Sequence, residues 1–348
     1  MAMPGNFVRL KPLGDPPTGF QLPCVALSHN ELRILPEFLS HYRRLGVDRF
    51  LIVDDHSTDG SREYLLAQPD VSLFEPAPGS TYSNDKRYWR AELLDAYATH
   101  RWVVVPDIDE HLVYRDCETR DLHTLIHDLD VEGAKAMHAT MVDMYRDAPL
   151  EEQRHDAPTL IESFPLLDGP DHYFRIAAPA NFRKKYPVPH CMVIGGMRQR
   201  LFQPLKLTAG QERLLRQSCD IAGPFSGGAG FRLAASLTRF RLRSVLRGKA
   251  IYNGSKLPLI RWQPGMTYYN GAHAVSAPIP LSRHSAVLLH FKFAGGVEAS
   301  RYTAARGQHT NGAQFYKMML DRIEDAPSPR FDGSLTYRSS VSLLRLLT

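Results

Sequence analysis

Four short apolar runs fall within the first 105 residues, at 22–28 (LPCVALS), 50–53 (FLIV), 71–74 (VSLF) and 102–105 (WVVV). Each is the length of a strand buried on both faces. The segments between them carry a helical period. Over 35–45, Leu35, Phe38, Leu39, Tyr42 and Leu45 form an apolar stripe, with Pro36 in the first turn and Gly46 as the stop. A second helix runs to about residue 68. A third spans 85–99, with Trp89, Leu93, Leu94 and Tyr97 on one side. Strand and helix therefore alternate, which predicts an α/β fold with a mainly parallel sheet flanked by helices.

Such sheets bind ligands beyond the carboxyl ends of their strands. Polar clusters follow three of the four runs: Ser28-His29-Asn30-Glu31, Asp54-Asp55 and Asp107-Ile108-Asp109. In extended backbone, residues i and i+2 face the same side, so Asp107 and Asp109 can hold one hard divalent cation, Mg2+ or Mn2+, beside a diphosphate. The competing reading is a cap or turn. A second Asp-x-Asp, at Asp128 and Asp130, lies in helix-like sequence and reads as a solvated face. Asp55 can accept hydrogen bonds from a base or ribose, or serve a plain strand-to-helix turn. Glu31 reads as a ligand or as part of a helix start. Lys86 and Arg87 open a helix near the cleft and can neutralise phosphate or remain surface charge. His290 ends the apolar run at 286–289, as a satisfied core residue or as a ligand returned to the site. By position alone His273 is a loop residue.

Beyond residue 115 the pattern weakens. Strands are expected over 135–142, 257–262 and 286–293, and a helix over 312–323. Residues 147–190 are rich in proline and charge and show no clear period. Residues 209–250 are basic. We expect residues 1–20 to be an irregular lead-in. Residues 21–348 then form one domain, with a nucleotide-binding half (21–115) and an elaborated acceptor-side half (116–348).

Net charge is +5, from 42 Lys+Arg against 37 Asp+Glu. This favours anionic partners such as a nucleoside diphosphate or an anionic membrane face. No nucleic-acid-binding motif is present. The four cysteines lack Cys-x-x-Cys spacing, which argues against a zinc site or a disulfide framework. The amino terminus has no apolar signal-peptide core and no run is long enough to span a bilayer. The expected location is cytoplasmic, at most peripheral to a membrane.

The stretch SHNELRILPEFLSHYRRLGVDRFLIVDDHSTDGS resembles the opening of bacterial family 2-like glycosyltransferases, and RYWRAELLDAYATHRWVVVPDIDEHLVY resembles their Asp-x-Asp-Glu strand end. MVDMYRDAP, GGMRQRLF, KLPLIRWQPGM and LLHFKF are similar to recurring segments of one bacterial subgroup. The resemblance spans roughly residues 22 to 345. It implies a GT-A, Rossmann-like fold, a UDP- or GDP-sugar donor, Mn2+ or Mg2+, and an inverting transfer to a glycan or lipid-linked acceptor of the cell envelope. It implies Asp107 and Asp109 at the metal–diphosphate site, Asp55 and Glu31 at the nucleoside, and His290 as a third metal ligand. Lys256, His273 and Lys292 become donor or phosphate contacts. Asp143 and Asp171 are candidate bases, with Asp168 beside them. One departure is Ala294-Gly295-Gly296-Val297, where a bulkier apolar and acidic pair is expected, so the loop over the site differs. The alternatives are a nucleotidyltransferase and a non-catalytic nucleotide- or glycan-binding protein. The first lacks its glycine-rich phosphate loop in SHNELRIL; the intact acidic pair argues against the second.

Overall fold

A strand buried on both faces needs apolar side chains at every position, and PCVALS meets that demand: all six residues of the strand Pro23–Ser28 are buried. The computed structural model describes residues 9–15, 17–309, 312–323 and 326–347. Residues 1–8 and 16 of the expected lead-in lie outside them, as does residue 348.

The first elements are β1 (Leu10–Pro12), β2 (Pro23–Ser28), α1 (Leu35–Arg44), β3 (Arg49–Asp54), α2 (Ser61–Leu66) and β4 (Val71–Pro76). Then come α3 (Tyr82–Tyr97), β5 (Trp102–Val104), β6 (Glu110–Val113), α4 (Leu122–Glu132) and β7 (Ala136–Asp143). The stretch without clear period breaks into short pieces, α5 (Leu160–Ser163), β8 (Leu166–Asp168), β9 (Tyr173–Ala177) and α6 (Ala180–Lys185), and β10 (Cys191–Gly195) and α7 (Gly196–Phe202) follow it. The basic region supplies α8 (Ala209–Ser218), α9 (Ala229–Arg241) and α10 (Arg243–Leu246). The chain closes with β11 (Ser255–Arg261), β12 (Tyr268–Tyr269), β13 (Ala274–Val275), β14 (Leu281–His290), α11 (Gly296–Arg306), α12 (Gln314–Ile323) and β15 (Ser334–Thr336).

Nine strands form one sheet in the order β1-β4-β3-β2-β5-β11-β7-β14-β6. Strands β4, β3, β2, β5, β7 and β14 run one way, and β1, β11 and β6 oppose them. The fold is thus α/β, with a mainly parallel sheet flanked by helices. Alternate residues feed opposite faces: Cys24 and Ala26 join the core under α1, whereas Val25 and Leu27 join the core under α3. Leu35, Phe38, Leu39 and Tyr42 of α1 are fully buried, each worth roughly 1.5–3 kcal/mol by area removed from water. Gly46, at φ +100°, stops α1. A side chain there would also meet His123, 3.0 Å from the position of a Cβ.

Residue 115 is a boundary in sequence but not in space. Strand β11 sits between β5 and β7, and β6 lies at the far edge beside β14. The short segment joining β5 to β6 therefore crosses the carboxyl ends of β7 and β14 and the amino end of β11. It is stitched there by Val105 N–H to Pro258 O (2.7 Å) and Phe291 N–H to Asp109 O (2.8 Å). That segment is Pro106-Asp107-Ile108-Asp109. The four cysteines are unpaired, and among the described residues no helix is long and apolar enough to cross a membrane.

Candidate functional site

The crossing segment turns instead of running extended. Glu110 N–H donates to Asp107 O at 3.1 Å, and Asp107 N–H donates to Glu110 Oε2 at 3.0 Å. Asp107 and Asp109 both border one cleft, but with different partners. Asp107 faces cations on both sides: Lys256 Nζ donates to its Oδ2 at 2.6 Å, and the buried Arg90 guanidinium holds its Oδ1. Lys256 also reaches Glu110 at 2.8 Å. Burial disfavours the Asp107 carboxylate, but Lys256 and Arg90 more than offset that and hold its pKa far below the usual range. Gly271 makes this packing possible, since a Cβ there would lie 3.0 Å from Asp107 Oδ2 and 3.2 Å from Lys256 Nζ.

Asp109 faces His290 instead. His290 Nε2 lies 3.2 Å from Asp109 Oδ2, and Nδ1 lies 2.6 Å from Asp143 Oδ1. Arg198 closes the far side of Asp143 at 2.8 Å. Burial opposes the His290 imidazolium, yet the Asp109 charge outweighs it and raises the pKa. Burial likewise opposes the Asp143 carboxylate, but Arg198 and His290 bring it to about 2. Asp109, Glu110 and His290 each offer one donor atom within 4.8 Å of the others. Asp107, expected beside Asp109 and His290 at the metal, lies outside that group, with its oxygens paired to Arg90 and Lys256.

These groups border a cleft of about 230 Å³ that also includes Glu31, His273, Lys292, Arg198 and Arg306. Glu31 follows β2, with its N–H donating to Ser61 Oγ at 3.0 Å. Burial, then repulsion from Asp109, raises its carboxyl to about 8. His273 Nδ1 lies 2.7 Å from Ser255 O, and burial with nearby Lys256 lowers its pKa to about 3. The ring is therefore neutral, and with Nδ1–H on that carbonyl, Nε2 is its acceptor. Lys292 bonds the Tyr316 hydroxyl and sits 4.3 Å over its ring. Helix α11 brings Tyr302 and Arg306 over the cleft. Its start uses the glycines of the divergent segment: Gly296 has φ +70°, which a bulky residue rarely adopts.

Other expected residues fall outside the cleft lining. Asp55 is buried behind Arg306, whose Nη2 donates to its Oδ2 at 2.6 Å. Lys86 is buried 4.8 Å over the Tyr82 ring, and burial, then Arg90, lowers it to about 8. Asp168 accepts from Tyr145 (2.8 Å) and Arg200 (2.9 Å) in the interior. Asp171 is not brought to the cleft: it lies on an exposed turn paired with Arg345. Asp143 stands behind His290 and lends it orientation. Sequence reading missed Arg90, although Tyr82, Lys86 and Arg90 share one helical face; two cations on a stripe that also buries Trp89 were the available signal.

No family model matches this sequence, and no curated protein matches it. Solved structures overlap in part. They include the mannosyltransferase PcManGT from Pyrobaculum calidifontis in complex with GDP-Man and Mn2+, at 19% identity over 42% of this chain and 40% of that one, TM-score 0.25. A 4-diphosphocytidyl-2C-methyl-D-erythritol synthase matches at 17% identity over 40% of this chain and 65% of its own, TM-score 0.26. A UDP-glucose pyrophosphorylase from Acinetobacter baumanii matches at 10% identity over 40% and 62%, TM-score 0.25. This chain spans less than two thirds of each. Overlap at that level carries no inference about its activity.

Proposed function

We propose that the chain is a GT-A glycosyltransferase that moves a sugar from a nucleotide-sugar donor to a glycan or other acceptor. The observation that carries this reading is the group Asp109, Glu110 and His290 at the strand ends, facing a cleft that also presents Lys292, Arg198 and Arg306. Two carboxylates and an imidazole suit a divalent cation, and the nitrogen donor favours Mn2+ over Mg2+. The arrangement behind His290 fits as well, because a metal-binding histidine commonly donates its other N–H to a carboxylate, here Asp143. A cation held there supplies Lewis-acid stabilisation of the departing diphosphate.

The chain's own residues do the rest. Lys292, Arg198 and Arg306 offer positive charge to the diphosphate oxygens. Lys256 and Arg90 keep Asp107 ionised and fixed. His273 presents a neutral acceptor nitrogen to a donor hydroxyl. Asp143, held at about 2, is a poor proton acceptor near neutrality, so in this reading it positions His290 and is not the base.

Calorimetric titration with UDP and GDP, with and without Mn2+, tests the proposal. Metal-dependent binding that disappears in Asp109→Asn supports it and names the nucleotide. Metal-dependent turnover of a nucleotide sugar separates an enzyme from a binding protein. If neither nucleotide binds under any condition, the donor-site reading fails.

A further inference from the structure

Helix α9, 13 residues long, buries none of its residues. Leu233, Leu237 and Phe240 are 63%, 54% and 71% exposed. Their i, i+4, i+7 spacing places them on one stripe. At 100° per residue, Arg232 and Arg239 flank that stripe on one side and Arg241 on the other. The inner side carries Phe231, Ala235 and Leu242, and Leu242 is buried against the β9–β10 hairpin with α8 and α10.

The local sequence carries one sign of charge. Between Asp220 and Glu298 the sequence contains no acidic residue, while residues 229–249 alone hold six basic ones. Arg183 Nη2 donates to Ser236 Oγ at 3.3 Å and ties α6 to α9. Helix α6 carries Lys184 and Lys185 beside Arg183 in its last turn. Under α9 a cavity of about 410 Å³ is bordered by Arg183, Arg239, Arg243, Arg247 and Ser236. Among the described residues none of these four arginines forms an ion pair with a carboxylate. Arg183 and Arg239 donate to the carbonyls of Ala178 (2.7 Å) and Ala177 (2.5 Å), which fixes two guanidiniums side by side without a counter-ion. Burial, then the charge of Arg183, lowers the Arg239 pKa.

We propose that α9, with α6 and α10, docks this protein on an anionic membrane surface. The Leu233–Leu237–Phe240 stripe enters the headgroup boundary, and the arginine cavity takes a lipid phosphate. An apolar stripe flanked by arginines is what an in-plane interfacial helix requires. Unpaired arginines match a surface that carries phosphate. A second copy of this chain would bring the same positive face, and like charges would oppose that contact. The inference stands apart from the reading of the cleft.

The test is co-sedimentation of the full chain with vesicles of phosphatidylcholine alone and of phosphatidylcholine with phosphatidylglycerol. Binding is expected only to the anionic vesicles and weakens as salt rises. The double variant Arg243→Gln/Arg247→Gln binds about 25-fold more weakly, at roughly fivefold per arginine. Leu233→Ser/Phe240→Ser loses at least about tenfold. All four side chains are exposed, and an unchanged thermal melt confirms folding; Arg243→Lys/Arg247→Lys retains binding. Equal binding to both vesicle types, or to neither, overturns the proposal. So does an Arg243- and Arg247-dependent affinity for nucleic acid without vesicle binding, or a stripe-dependent dimer in sedimentation that leaves vesicles untouched.

Discussion

Asp107-Ile108-Asp109 and Asp128-Leu129-Asp130 share one spacing and almost one composition, yet they stand in opposite surroundings. The first crosses the ends of buried strands and meets Arg90, Lys256 and His290, whose side chains are 2%, 2% and 6% exposed. The second lies in α4, where Asp128 pairs with Arg120 and Asp130 with Arg261, all partly or largely in water. Desolvation of the partners makes the difference, since the Asp107 and Asp109 side chains themselves stay 34% and 24% exposed. A charge pair stripped of water interacts strongly, and neither partner can be removed cheaply; a hydrated pair is screened and nearly dispensable. An Asp-x-Asp spacing therefore acquires chemistry only from the element that precedes it and the cations folded around it.

Removing the buried cation should break that contrast most visibly. Lys256→Met strands Glu110 and leaves Asp107 with Arg90 alone, and should cost about 3–5 kcal/mol in urea unfolding; a loss below about 1 kcal/mol would make the first cluster no different from the second. Next in size is Asp143→Asn. If Asp143 orients a metal-binding His290, Mn2+ affinity falls about 10- to 100-fold by calorimetry, with no comparable change for Asp168→Asn. Glu31 sharpens the contrast through pH. Its carboxyl, raised from 4.5 to about 8, binds its proton more tightly in the folded chain. Its stabilisation is complete below about pH 4.5 and is lost as pH rises through about 8. Melting of the metal-free chain should decline over that interval, and Glu31→Gln should flatten the decline; parallel curves for the two proteins refute it. The smallest effect belongs to Asp128→Asn, within about 1 kcal/mol of the parent and with Mn2+ affinity unchanged.

The amino-terminal elements were legible because their cause is local. An apolar run between turn residues, or a stripe at helical period, states its own burial, and β2, α1, β3, β4, α3 and β5 lie within a few residues of their expected bounds. The clusters at the strand ends were legible for the same reason. The stretch 147–190 was not, because its elements are three to six residues long, too short to express a period.

Tertiary structure decided which charges meet. Lys256 is 149 residues from Asp107, and His290 is 147 residues from Asp143. They come together only because β11 inserts between β5 and β7 and β14 runs beside β7. The same topology carries the acidic segment across the sheet, gives Asp107 and Asp109 different partners and leaves Asp171 outside. Local pattern determines which residues are buried in each element; strand order, set by pairing across the whole chain, determines which buried charge finds a partner.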